Sequence, residues 1–207
     1  MTKKELVEEI IRREAEMFQS TQNIGGRASC QDDLKTFYNM RRSQMDAWNE
    51  ETLESYLADL QAVQEAGRNL VTEKYFHMME YTHPMEYAMQ KHMVAMPEEE
   101  TKRIAQEICD VMIADTEILH KNYPCVAGAG RPLHSTQDAL GYVSVETYQK
   151  GELYTYSLHT LQCLQAHLKK LQEQGISLAA VILENGVKSY GYESLEQAET
   201  MMQARKK

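Results

Sequence analysis

The chain has 207 residues, enough for one to one and a half domains of the usual size and for a sizeable core. Its formal charge of −9 argues against a general nucleic-acid binder, which needs a cationic surface to meet phosphate, and against a basic helix lying on a membrane. Hydrophobic residues at 43% and charged ones at 26% fit a globular rather than a disordered chain, and ten glycines with four prolines are too few for a turn-rich fold, so the balance points to helices.

Taken in chain order, residues 3–19 set Leu6, Ile10, Met17 and Phe18 at helical spacing. Residues 20–27, with Gly25-Gly26, read as a loop. Helical spacing resumes over 34–48 and again over 50–66, where Asn49 is a suitable N-cap and Gly67 a left-handed stop. A helix over 70–81 follows, broken at His83-Pro84, and residues 84–97 are less regular. Pro97 ahead of Glu98-Glu99-Glu100 places proline and acids in the first turn of a helix running to about residue 121. After a long loop from Tyr123-Pro124 to Gly141 come helices over about 144–156, 158–174 and 178–190, with Gly175 and Gly191 stopping the last two, and a tail helix over 194–205. No stretch alternates with period two for more than a few residues, so the expected fold class is all-α.

The halves of the sequence resemble each other. At a shift of 108, Thr52-Leu53 falls on Thr160-Leu161, Leu60 on Leu168, Glu65 on Glu173, Gly67 on Gly175 and Leu70 on Leu178. Gly26-Arg27 matches Gly130-Arg131 at a shift of 104. The expectation is a helical bundle built as a pseudo-twofold tandem duplication of about four helices per half, residues 3–83 and 98–192 joined by 84–97, with one joint core. Chance similarity between two amphipathic stretches is the alternative. A cleft between the halves, bordered by both Gly-Arg loops, is a natural ligand site.

No apolar stretch follows Lys3-Lys4, so no secretory leader is expected, and nowhere do ~18 apolar residues run together as a membrane span requires. Cys30, Cys109, Cys125 and Cys163 contain no Cys-x-x-Cys pair, so neither a zinc site nor a disulfide framework is indicated, and reduced thiols in the cytoplasm are the simplest expectation.

The segment from Gly25-Gly26-Arg27 through Cys30-Gln31-Asp32-Asp33, then Thr36-Phe37 and Met40-Arg41-Arg42-Ser43-Gln44, resembles the signature of a bacterial family catalogued only as domain-of-unknown-function family 4125. Gly67-Arg68-Asn69, Gly130-Arg131-Pro132 and Tyr190-Gly191-Tyr192 extend the resemblance over nearly the whole chain. It implies that the loops, not merely the helix faces, distinguish the family, and it brings no reaction or cofactor with it.

Several constellations carry chemistry. Arg27, Gln31, Asp32, Arg41 and Gln44 can form a polar pocket for a small anionic or amide-bearing ligand, with Arg131 contributing from the matching loop; a loop stapled by ion pairs reads the same way in sequence. Glu152 is the candidate general base and His134 the second candidate, should there be turnover. Gly151-Glu152 stands at the place of Ser43-Gln44 in the other half, as a site would or as a close helix crossing would. Cys30 before a helix can be a nucleophile with His134 as partner, or an inert thiol. Two Glu-x-x-His spacings, Glu80/His83 and Glu117/His120, suit a di-metal bundle, though both stand near helix ends. Met78, Met79, Met85, Met89, Met93 and Met96 make a segment that fills a core or mediates a homodimer. The leading functional expectation is small-molecule binding between the halves, with a non-catalytic adaptor second and a di-metal protein third.

Overall fold

A computed structural model describes residues 1–22, 26–140 and 142–205; residues 23–25, with the first glycine of the Gly-Gly turn, and Gly141 at the end of the long loop lie outside them. Thr2 opens the first helix, α1 (Lys3–Ser20), through a capping box: its hydroxyl accepts from the Glu5 amide and the Glu5 carboxylate accepts from the Thr2 amide. Asp33 caps α2 (Leu34–Ala47) by accepting from the Thr36 amide. Asn49 and Asn69 do the same for α3 (Glu50–Glu65) and α4 (Leu70–Thr82). Pro84 is the first residue of the short α5 (Pro84–Gln90), a helix inside the segment expected to be irregular.

The long α6 (Glu99–Asn122) starts two residues later than the sequence suggests. Glu98 is its N-cap, so Pro97 stands outside the helix rather than in its first turn. Then follow α7 (Val145–Leu153), α8 (Leu158–Glu173), α9 (Leu178–Ser189) and α10 (Leu195–Arg205). Gly67, Gly175 and Gly191 all have positive φ just past the ends of α3, α8 and α9, the left-handed stops read from the sequence. Among the described residues the fold is all-α, with an isolated bridge between Ala139 and Tyr142 in place of any strand. Among the described residues no helix is long and apolar enough to cross a membrane.

The helices trade partners along the chain. The centre is a file in which α1 packs on α3, α3 on α8 and α8 on α6, while α2 packs on α9 and α4 on α7. One continuous apolar core runs through it, from Ile10 and Leu53 to Ile108, Leu161 and Leu178, with Trp48 almost fully enclosed. Trp48 sits edge-on to both Tyr56 and Tyr156, at centroid distances of 5.7 and 5.9 Å.

Two small residues allow the cross-pairings. A Cβ added at Gly151 would lie 2.8 Å from Cγ of Met78 and 3.0 Å from the Lys74 carbonyl, so α7 approaches α4 as closely as its backbone permits. Ser43 of α2 lies opposite Gly186 of α9, whose added Cβ would be 3.8 Å from the serine hydroxyl. Gly151 therefore answers the close-crossing alternative. Gly151→Ala would gain about 1 kcal/mol of helix propensity, but the contact with the fixed Lys74 carbonyl adds an overpacking cost of ~1–3 kcal/mol. The expected net result in urea unfolding is a loss of roughly 1 kcal/mol; a stabilised variant would show that the crossing can relax.

Candidate functional site

Four charged side chains meet at the crossing of α1, α2, α4 and α7. The Arg41 guanidinium forks onto Glu14, with Nε to Oε2 at 2.7 Å and Nη2 to Oε1 at 2.5 Å, and donates through Nη1 to Glu152 at 2.9 Å. Lys74 donates to the other oxygen of Glu152 at 2.5 Å, with its ammonium 3.6 Å above the Tyr148 ring. Tyr56 donates to Glu14 and Tyr156 to Glu152, each at 2.6 Å, and the Gln44 amide bridges Arg41 and Glu152. None of the four charged side chains is more than 9% exposed. Two acids and two bases make the cluster neutral, which is how four charges are tolerated in a core.

The titration behaviour follows from that pairing. Burial raises the Glu152 carboxyl, but Arg41 and Lys74 outweigh it and hold the group well below the ordinary carboxylate range. Burial opposes the Lys74 ammonium, and Glu152 more than restores it. Arg41 is likewise held above its ordinary value by Glu14 and Glu152 against the cost of burial. Burial and the neighbouring carboxylates raise both Tyr56 and Tyr156, so they stay neutral donors.

The cluster forms part of the wall of a cavity of about 430 Å³, lined also by Phe18 and Phe37 of α1 and α2, Tyr75 of α4, Tyr148 of α7, and Arg131, with Cys30 and Asp33 among the lining residues. Phe18 and Phe37 stack at 4.8 Å. Arg131 is exposed; its guanidinium lies 5.2 Å over the Tyr148 ring and one nitrogen donates to the Val143 carbonyl at 3.1 Å. Among the described residues it forms no ion pair. Burial first, then Tyr148, pushes the Tyr75 phenol up to about 12, so it too is a neutral donor near neutral pH. A second cavity, of about 280 Å³, shares Val145, Tyr148 and Glu152 with the first and is otherwise lined by α6 (His120 included), α7, α8, α9, Gln44, Trp48, Ala127 and Tyr156.

Of the residues singled out from the sequence, Arg41, Gln44, Glu152 and Arg131 come together around these cavities. Arg27, Gln31, Asp32 and His134 line neither. Arg27 is exposed and pairs with Asp32 at 2.9 Å and with Gln19, stapling the loop. Gln31 is buried, and its amide donates to the Phe18 and Thr21 carbonyls, tying the loop to the end of α1. His134 meets Glu117 at 3.1 Å, so it partners neither Glu152 nor Cys30. Glu152 accepts from four side chains and is strongly acidic, which suits a counter-ion; a proton acceptor needs an open lone pair and a higher pKa.

The two Glu-x-x-His spacings do not converge: Glu80 is exposed, and Glu117 is engaged by His134. No three His, Cys, Asp or Glu side chains among the described residues are grouped as a metal ion would need. Glu14, Lys74, Tyr75 and Tyr56 were not singled out as ligand-site residues by sequence reading. Their one available signal was a polar residue on an otherwise apolar helix face, as with Glu14 between Ile10, Ile11 and Phe18.

Residues 4–200 match the family described as protein of unknown function (DUF4125). The chain belongs to that family. The match spans both cavities and the whole buried cluster, so the resemblance first carried by the Gly-Gly-Arg loop extends to the residues that build the site. No curated protein and no solved structure matches the chain.

Proposed function

We propose that this member of the DUF4125 family binds a small anionic molecule with an apolar body in the larger cavity, at the meeting of two related halves. The observation that carries the reading is the pair Lys74 and Arg131, both set over the one Tyr148 ring at the cavity wall, with no carboxylate on Arg131 among the described residues. Of the three acids in the lining, Arg41 and Tyr56 hold Glu14, Arg41, Lys74, Gln44 and Tyr156 hold Glu152, and Asp33 is turned to the Thr36 amide as the cap of α2. Unspent donors on Arg131, Lys74 and Tyr75 therefore face a space walled by Phe18, Phe37 and Tyr148, which suits an aromatic or branched carboxylate.

A tandem duplication, as proposed from the sequence, would fit the same reading. Ser43 opposite Gly186 and Gly151 opposite Met78 are equivalent contacts when each position is moved by 108 residues, and the α2–α9 and α4–α7 pairings exchange in the same way. The ligand would thus occupy the seam where each half completes the other.

Titration calorimetry with benzoate as the probe tests the proposal. Benzoate is expected to bind the wild-type protein, Arg131→Ala to weaken it about tenfold or more (~1.4 kcal/mol), and Arg27→Ala to leave it unchanged. Equal affinity in all three proteins would sink the assignment. A second reading, in which Met85, Met89 and Met93 form a face for another copy of the chain, is favoured by their exposure of 73–78%. Light scattering on wild type and on a variant with these three residues changed to Gln separates it from the first.

A further inference from the structure

The second cavity has a chemistry of its own. We infer that it is a binding site for a neutral small molecule with an apolar body and one hydrogen-bonding group, distinct from the anion site. Its geometry parallels the larger cavity, but no lysine or arginine lines it. At a spacing of 108 residues, Gln149 stands for Arg41, Ile182 for Lys74 and Leu183 for Tyr75, and each of these six side chains lines its respective cavity. What remains is a space of about 280 Å³ between α6, α7, α8 and α9 whose walls are mainly apolar, with Thr116, His120 and Gln149 among their polar members. That is within the range in which an aromatic ring fits, and an apolar space of this size binds such rings without any charge to assist.

Three observations fix the ligand class. The charged group on this wall, Glu152, has its lone pairs taken by Arg41, Lys74, Gln44 and Tyr156, so it neither attracts a cation nor leaves a charge to be met. The Gln149 amide lines the cavity half-buried and has no hydrogen-bond partner among the described residues, so it offers both a donor and an acceptor to a hydroxyl or amide. Thr116 donates to the Met112 carbonyl and its oxygen can still accept. A carboxylate would have to sit beside Glu152 with no lysine or arginine in the lining and only the His120 imidazole as a basic group, which disfavours the anions expected in the larger cavity.

Trp48 lines this cavity and is the protein's single tryptophan, so its emission reports occupancy. The test uses p-cresol as the probe, followed by Trp48 fluorescence and calorimetry. Saturable 1:1 binding is expected, unchanged in Arg131→Ala. Ala179→Leu, which fills the cavity, is expected to weaken p-cresol tenfold or more. Ile182→Lys is expected to do the same while creating a Trp48 response to benzoate. Loss of p-cresol binding in Arg131→Ala, or full binding in Ala179→Leu, overturns the inference, because the molecule would then sit in the larger cavity. Absence of any p-cresol binding overturns it as well. Failure of benzoate to bind the wild-type protein, with p-cresol binding intact, counts against the anion site and leaves this one standing.

Discussion

Replacing Arg41 with Met is expected to cost about 3–5 kcal/mol of folding stability, read as a lower urea midpoint. The side chain is buried and satisfies both oxygens of Glu14 and one of Glu152, so its removal strands Glu14 with only Tyr56 as donor. Adding Glu14→Gln to Arg41→Met removes the stranded charge, and the double variant is expected to lose at least ~1 kcal/mol less than the sum of the singles. Additive losses would mean that the two side chains act through different contacts from those that join them here. A single-variant loss below about 1 kcal/mol would mean that water reaches the place of the guanidinium.

The second large effect lies at Glu152. Glu152→Gln leaves Lys74 buried without a carboxylate and takes one of two from Arg41, for an expected cost of about 3 kcal/mol at pH 7. The pH dependence has a definite sign. Because the folded-state carboxyl lies well below its ordinary value, its contribution is complete above the unfolded pKa of ~4.3 and is lost as pH falls through the folded one. The stability gap between wild type and Glu152→Gln should therefore be flat from pH 6 to 8 and shrink below roughly pH 4. A gap that widens on acidification would contradict the ion pairing with Arg41 and Lys74.

Much of the fold was legible because its signals are local. Periodicity marked the long helices, and Asn49, Asn69, Gly67, Gly175 and Gly191 punctuate them as side-chain caps and left-handed residues must. The short α5 was less visible, since seven residues give barely two turns of pattern. The site was half legible. Arg41, Gln44, Glu152 and Arg131 were found because they are polar at matching places or in a Gly-Arg loop. Lys74 and Glu14 escaped because their partners lie 78 and 27 residues away, and a buried charge reads as a surface one until its partner is known. Arg27, Asp32 and Gln31 have the same composition as a pocket but spend it on stapling a loop, a distinction that only the hydrogen bonds make.

The exchange of helix partners also governs how the protein is made. Ser43 of α2 receives a hydrogen bond from Asn185 of α9, 142 residues further along. At ribosomal rates of ~5–20 residues per second, that separation is roughly seven to thirty seconds of synthesis. Throughout that interval α2 has been made while the helix that covers it is not yet complete. The growing chain thus carries an uncovered flank until α9, within its last 30 residues, is made. The expected consequence is that a nascent chain stopped before residue 178 leaves this face of α2 open.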